Sequence, residues 1–106
     1  MNDGEIALDT EFAKFIGFTS DKFGGYLWKT GGTIAISAIM ARQPGRGHFR
    51  DLLASIESKG FKVKVPTPLP GMRAILEHYG FVPHVEPFAP ELGDNSPVDV
   101  WERPVA

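Results

Sequence analysis

The sequence has no cysteine, no long apolar run and no excess of basic charge. Without cysteine there can be no disulfide, no thiolate metal site and no cysteine nucleophile. The longest apolar run, from Ile34 to Ala41, is interrupted by Ser37 and is far too short to cross a bilayer. The acidic start, residues 1–5, lacks the basic and apolar regions of a signal peptide. We therefore expect a cytoplasmic protein with no membrane contact.

The overall charge argues against a protein that binds nucleic acid by general electrostatics. The 106 residues carry a formal net charge of −2, and the sequence pI is about 5.9, whereas such proteins usually have a high pI and a basic face. Hydrophobic residues make up 42% and charged residues 23% of the chain, which is typical of a soluble globular protein. The length predicts one domain spanning residues 1–106.

The first half of the chain predicts a helix followed by a β-hairpin. Loosely helical spacing of apolar residues predicts a helix over 5–16, with Gly17 at its end, and residues 19–25 predict a loop. Two strand-like runs, 26–29 and 33–40, flank the turn residues Thr30-Gly31-Gly32. Because the second strand is apolar at nearly every position, we expect it to be covered on both faces.

The second half alternates helices and strands. Apolar residues at helical spacing predict two amphipathic helices, one over 49–56 that ends before Gly60 and one that starts near Pro68 or Pro70 and ends at Gly80. Residues 61–65 and 98–103 predict strands, and the proline-containing stretch 83–90 predicts an extended, exposed connection. The predicted fold class is α/β, of the α+β type with one mixed sheet flanked by helices.

The junction between the hairpin and the first strong helix has the composition of an anion-binding loop. The segment Arg42-Gln43-Pro44-Gly45-Arg46-Gly47 combines two glycines with two arginines. Glycines allow positive φ and close approach of a ligand, arginines suit phosphate oxygens, and a helix N-terminus offers unpaired N–H groups. A glycine-rich junction can also serve only to turn the chain.

This segment resembles the acyl-CoA signature R/Q-x-x-G-x-G/A of the GNAT superfamily of N-acetyltransferases, with Arg42, Gly45 and Gly47 on the fixed positions. Residues 33–40 resemble the central strand of that family. The second predicted helix closes with His78-Tyr79-Gly80-Phe81-Val82, which resembles the family's tyrosine-containing helix ending before Gly-Phe. The resemblance covers roughly residues 26–82. It implies a GNAT-like acyl-CoA N-acyltransferase fold with a reduced N-terminal part, because only one helix and one strand are expected before Thr33.

The resemblance also implies a binding site for acetyl-CoA and an amine acceptor, either a small molecule or a peptide. The backbone of Ile39, Met40 and Ala41 would pair with the pantetheine arm. The N–H groups of residues 45–48 would hold the pyrophosphate, with Arg42 and Arg46 contacting phosphate through their side chains and His48 contributing. These expectations give the cofactor-binding set Ile39, Met40, Ala41, Arg42, Gly45, Arg46, Gly47 and His48.

The catalytic groups of the family have no clear counterpart here. The family's tyrosine position is occupied by Leu76, Tyr79 is expected to be a packing residue, and residues 33–40 include no Asp or Glu. We therefore assign no catalytic residue and leave the enzymatic activity undecided. The three histidines lack metal-ligand spacing, so no metal site is predicted.

Two functions from different classes follow from these features, with a third ranked last. The first is an N-acetyltransferase that uses acetyl-CoA, and the second is a non-catalytic GNAT-like structural or interaction module, with or without CoA binding, as in phage or mobile-element proteins. Nucleic-acid binding through Arg42, Arg46, Arg50, Lys62 and Lys64 ranks last, because no aromatic stacking pattern accompanies them. The short front leaves a sheet edge to protect, which favours a homodimer.

Overall fold

A computed structural model describes residues 2–104, which contain six β-strands, three α-helices and one short 3₁₀ helix. The mixed α+β composition confirms the predicted fold class. The chain divides into two compact units, residues up to 63 and residues from 64 onward. Within residues 2–104, no helix combines the length and the apolar character needed to span a bilayer.

Three antiparallel strands form the sheet of the first unit. They are β1 (Gly4–Ala7), β2 (Phe23–Thr30) and β3 (Thr33–Ala41), with β2 between the other two. Gly31 and Gly32 make the turn between β2 and β3, as the sequence predicts. Leu27 of β2 lies opposite Ile6 of β1 and Ile36 of β3, so apolar side chains meet across the three strands.

Two helices belong to the first unit, and they cover the apolar side chains that meet across its three strands. They are α1 (Glu11–Ile16) and α2 (His48–Ser58). Leu52, Leu53 and Ile56 of α2 are buried, as their helical spacing predicts. Burial of these side chains with the aromatic rings of Phe18 and Phe23, which lie 5.8 Å apart, removes apolar surface from water and holds the unit together.

The N-terminal part of the chain differs from its prediction. Residues 5–16 do not form one helix, because Gly4–Ala7 is the edge strand β1 and α1 begins only at Glu11. Thr10 separates the two elements: its Oγ1 accepts a hydrogen bond from the N–H of Ala13 and caps α1. Pairing with β2 thus overrides the loose helical spacing. The predicted loop over 19–25 is also shorter, since β2 already starts at Phe23.

Strand β3 is buried at its start and open at its end, which corrects the expectation of cover on both faces. Ile34 and Ile36 are buried, whereas Ser37, Ala38 and Met40 are exposed. A register shift in the β2–β3 pairing between Tyr26 and Leu27 accompanies this change. The apolar composition of the strand therefore does not correspond to uniform burial, and the exposed part leads directly into the loop over 42–47.

In the second unit, β6 (Asp94–Glu102) pairs with two strands in antiparallel fashion. Its neighbours are β4 (Lys62–Pro66), whose first two residues belong to the first unit, and β5 (Val82–Ala89). Helix α3 (Pro70–His78) follows β4, and a 3₁₀ turn (Pro90–Leu92) joins β5 to β6. Of the predicted apolar stripe of α3, only Leu76 is fully buried.

The proline-containing stretch predicted as a connection is the strand β5. Pro87 lies opposite Pro97 of β6, and neither residue has an N–H, so this pair cannot be hydrogen-bonded. Because bonded and non-bonded pairs alternate in antiparallel strands, Pro83, Val85 and Pro87 direct their backbone polar groups away from β6. Two of these three positions have no donor, which protects β5 from strand addition.

This edge chemistry weakens the argument that an unprotected strand favours a homodimer. In the first unit, the outer strand β1 has four residues, and very short edge strands are a second common protection. The homodimer itself stays a prediction.

Candidate functional site

The loop over 42–47 links the exposed end of β3 to the N-terminus of α2 and has the backbone conformation expected of its glycines. Gly45 has φ of 83° and Gly47 has φ of 76°, both in the left-handed region. Gly47 is the N-cap residue of α2. Since glycine has no side chain, this position leaves the N–H groups of the first helical turn for another acceptor.

The guanidinium group of Arg50 lies beside Gly47. A Cβ atom placed on Gly47 would come within 2.6 Å of the Arg50 Nη2 atom, so the absence of a side chain creates the space that this group occupies. Nε of Arg50 is 3.5 Å from Oδ1 of Asp51, and both side chains are about two-thirds exposed. Such an exposed pair contributes little energy, so Arg50 can turn to an anion at the helix N-terminus.

Arg50 therefore joins the predicted site, although the loop signature does not include it. The signal is in the sequence: a residue three positions after the N-cap lies on the first turn and can fold its long side chain back toward the cap. Its presence adds positive charge where the helix dipole is also positive.

Two other predicted residues have different environments. The Arg46 side chain is exposed, and within residues 2–104 it has no ion pair or hydrogen bond, so it is available to a ligand. The ring of His48 is half-buried against Phe23, with ring centroids 6.4 Å apart, and within the part of the chain that the structure describes its Nδ1 atom is buried without a hydrogen-bond partner. His48 thus offers a backbone N–H on the first turn and a ring that packs inward.

Arg42 has a structural task that the signature does not reveal. Its Nε donates to the carbonyl oxygens of Ser20 at 2.5 Å and Phe23 at 3.2 Å, and its backbone N–H donates to the carbonyl oxygen of Lys22 at 2.8 Å. These bonds tie the end of β3 to the segment before β2. Phosphate contact by Arg42 would therefore have to use its terminal Nη groups.

Residues Ile39, Met40 and Ala41 form the end of β3. They lie opposite Gly25, Gly24 and Phe23 of β2, so one edge of this segment is already paired. A ligand that pairs with their backbone would have to use the other edge. Met40 is 67% exposed, so its side chain is open to a ligand.

The structure places no family-like catalytic tyrosine at the expected position. Leu76, which occupies that position, is completely buried in α3. Tyr79 is the C-cap residue of α3, and its ring packs against His78 with centroids 5.0 Å apart. Strand β3 carries hydroxyl groups on Thr33 and Ser37 but has no carboxylate or imidazole in its sequence. The structure thus places Arg50 beside Gly47 at the N-terminus of α2, while β3 itself supplies no acid–base side chain.

Comparison of the chain with protein-family models, with curated proteins and with solved structures found no match.

Proposed function

We propose that this chain binds acetyl-CoA at the loop over 42–47 and is an N-acetyltransferase-like protein. The observation that carries the proposal is the arrangement at the start of α2. A left-handed glycine caps the helix without a side chain, and the guanidinium of Arg50 lies next to it. Backbone donors at a helix N-terminus and a nearby guanidinium together suit a pyrophosphate group.

Each part of the site has a definite role in this proposal. The N–H groups of Gly45, Gly47 and His48 donate to phosphate oxygens, while Arg46 and Arg50 supply positive charge from exposed side chains. Pro44 has no N–H and contributes no donor. The edge of residues 39–41 that faces away from β2 lies next to the loop along the chain and would accept the pantetheine arm.

Acetyl transfer makes further demands on the residues around the bound thioester. The amine must lose a proton before it attacks the carbonyl carbon, and the thiolate of CoA must be stabilised or protonated as it leaves. An acceptor amine that is already neutral at the working pH needs no base before it attacks, and the proton that its nitrogen loses after the attack can pass to the leaving thiolate, which gives the amide and free CoA. The exposed end of β3 leaves space for an acceptor beside the thioester.

A second function, a CoA-binding module without catalysis, is favoured by the burial of Leu76. Leu76 has no hydroxyl group and is completely buried, so it cannot do what a tyrosine hydroxyl at this position would do for the leaving thiolate. The two functions share the same loop and differ only in turnover. They are distinguished by release of free CoA from acetyl-CoA in the presence of a panel of amines, compared with the same mixture without protein.

Thermal melting with and without CoA tests the binding site that both functions share. A ligand at 100 times its dissociation constant stabilises the folded state by about 2.7 kcal/mol, so the melting temperature should rise clearly. Adenosine 3′,5′-bisphosphate and inorganic pyrophosphate serve as further ligands, because they separate recognition of the pyrophosphate from recognition of the nucleotide.

A matched pair of substitutions locates the site. Gly45 and Gly60 both have φ above 80° and open space where a Cβ atom would lie, but they are at opposite ends of α2. Gly45→Glu should abolish the CoA-dependent rise, whereas Gly60→Glu should keep it while showing similar backbone strain. Loss of the rise in both variants, or in neither, would overturn the placement of the site at this loop.

The arginines provide a second test with smaller effects on the backbone. Arg46→Ala and Arg50→Ala should each weaken CoA binding about tenfold or more, in line with about 1.5–3 kcal/mol for a hydrogen bond to a charged group. Lys62→Ala removes an exposed cation beyond the other end of α2 and should leave binding unchanged. An equal effect of all three substitutions would indicate only a general charge effect.

A further inference from the structure

A second group of chemically active side chains lies in the second unit, on one face of three neighbouring strands. His84 and Glu86 are two residues apart on β5, so they project to the same face. Glu102 of β6 lies opposite Val82 of β5 and Lys64 of β4. This register brings His84, Glu86, Glu102 and Lys64 onto the same face.

The three potential ligand atoms of this group are close together. His84 Nε2 is 2.6 Å from Glu86 Oε2 and 3.8 Å from Glu102 Oε1, and all three ligand atoms lie within 4.8 Å of one another. Ligand atoms of a tetrahedral zinc ion are about 3.4 Å apart, given bonds of about 2.1 Å. Small side-chain rotations that open the first distance and close the second would therefore produce a zinc-binding geometry.

The hydrogen bonds of the group hold Glu86 and leave the Glu102 carboxylate facing solvent. Glu86 is held by His84 and by Lys64, whose Nζ is 3.4 Å from Glu86 Oε1. Within residues 2–104, the carboxylate of Glu102 accepts no hydrogen bond, and its Oε1 lies 3.8 Å from His84 Nε2. Bonding to His84 holds the pKa of Glu86 below its ordinary value of 4.5, with Lys64 contributing.

We propose that His84, Glu86 and Glu102 form a binding site for a divalent transition-metal ion, with Zn²⁺ as the best-fitting ion. One imidazole nitrogen and two carboxylate oxygens are ligands that zinc accepts. All three side chains are 33–45% exposed, so the fourth position of the ion is open to water. The proposal is independent of the CoA site.

Lys64 allows the proposed metal site to be distinguished from a group of side chains that only stabilises the fold. Its ammonium group competes with a metal ion for Glu86, because both positive charges use the same carboxylate. Removing the ammonium group while keeping an apolar stem, as in Lys64→Met, should tighten zinc binding several-fold. Removing a ligand should weaken it, so the two kinds of substitution have opposite signs.

The experiment is a calorimetric titration with ZnCl₂. The full chain is produced without a polyhistidine tag and is treated with a chelator, which is removed before the titration. We expect one zinc ion per chain, loss of affinity by about tenfold or more in His84→Ala and in Glu102→Gln, and tighter binding in Lys64→Met. His78→Ala, which removes another exposed histidine of the same unit, is the control and should bind zinc like the parent chain. Far-UV circular dichroism verifies that each variant is folded.

Three results would overturn the proposal: no zinc binding by the parent chain, binding that survives both His84→Ala and Glu102→Gln, or binding that His78→Ala weakens as much as His84→Ala does. Glu86→Gln is the second ligand test should His84→Ala fail to fold. It keeps the shape of the side chain and removes the charge, and unchanged zinc affinity in this variant would also contradict the site.

Discussion

The substitution Gly25→Ala provides the sharpest test of the first unit, because a Cβ atom added at Gly25 would point into the backbone of β3. Its φ is 101°, a conformation that side-chain-bearing residues rarely adopt. A Cβ atom at this position would overlap the carbonyl oxygen of Ala38 and lie 2.8 Å from the Ala38 carbonyl carbon. The neighbours are backbone atoms of β3, so they cannot move away as a flexible side chain can.

The expected destabilisation follows from two contributions. A non-glycine residue in a strained backbone region costs about 1–3 kcal/mol. Relief of the overlap would separate β2 from β3 locally and weaken one or two backbone hydrogen bonds, each worth about 1 kcal/mol. We expect a total loss of about 2–5 kcal/mol and a fall in melting temperature of about 8–20 °C, at about 4 °C per kcal/mol for a chain of this length.

Gly24→Ala is the matched control, since Gly24 precedes Gly25 in the same strand. Its φ is not in the left-handed region, and the nearest atom to an added Cβ is the Met40 methyl carbon at 3.7 Å, an ordinary contact. This substitution should change stability by no more than about 1 kcal/mol, in either direction. Both variants are measured by urea unfolding and by thermal melting, followed by far-UV circular dichroism. A difference of less than about 1 kcal/mol between them would refute the expected overlap of the added Cβ atom with the Ala38 carbonyl group.

Three further predictions concern other parts of the chain. Leu76→Ala should cost about 2–5 kcal/mol because it leaves a cavity, while Ile75→Ala, at a 45% exposed position, should cost far less; chemical unfolding measures both. Arg42→Ala should destabilise the fold by about 1–3 kcal/mol through unpaired carbonyl oxygens, and an unchanged melting temperature would contradict the tie to the segment before β2. The hydrogen bond from the N–H of Gly31, and to a smaller extent the one from Lys29, lowers the pKa of Asp3 below 3.8. The ionised Asp3 side chain therefore stabilises the fold above pH 3.8, and this stabilisation disappears as the pH falls through the lowered pKa. Asp3→Asn should therefore reduce stability at pH 7 more than at pH 2 in parallel urea titrations.

Much of the fold can be predicted from local patterns. The turn at Gly31-Gly32 follows from glycine's freedom to take positive φ between two strand-forming runs. Helix α2 follows from the spacing of Leu52, Leu53 and Ile56, which are all buried. Both predictions succeed because each depends only on residues that are a few positions apart in the sequence.

The predictions fail where the secondary structure of a segment depends on pairing with a strand that is distant in the sequence. Residues 4–7 form β1 because they pair with β2, although their spacing is loosely helical. Residues 82–89 form β5 despite Pro83 and Pro87, because the prolines occupy positions that need no donor toward β6. In both cases the partner strand lies outside the short segment of sequence on which the local prediction is based.

The candidate sites show the same division. The sequence by itself determines the loop over 42–47, because glycine and arginine at a strand-to-helix junction are a local signal. Only the tertiary structure places Arg50 against Gly47, engages Arg42 with backbone carbonyls, and opens the end of β3. It also brings His84 to Glu102, which are far apart in the sequence and meet through the antiparallel pairing of β5 with β6. Local conformation depends on the residue types in a short segment, whereas side-chain proximity across strands depends on register, which the whole sheet decides.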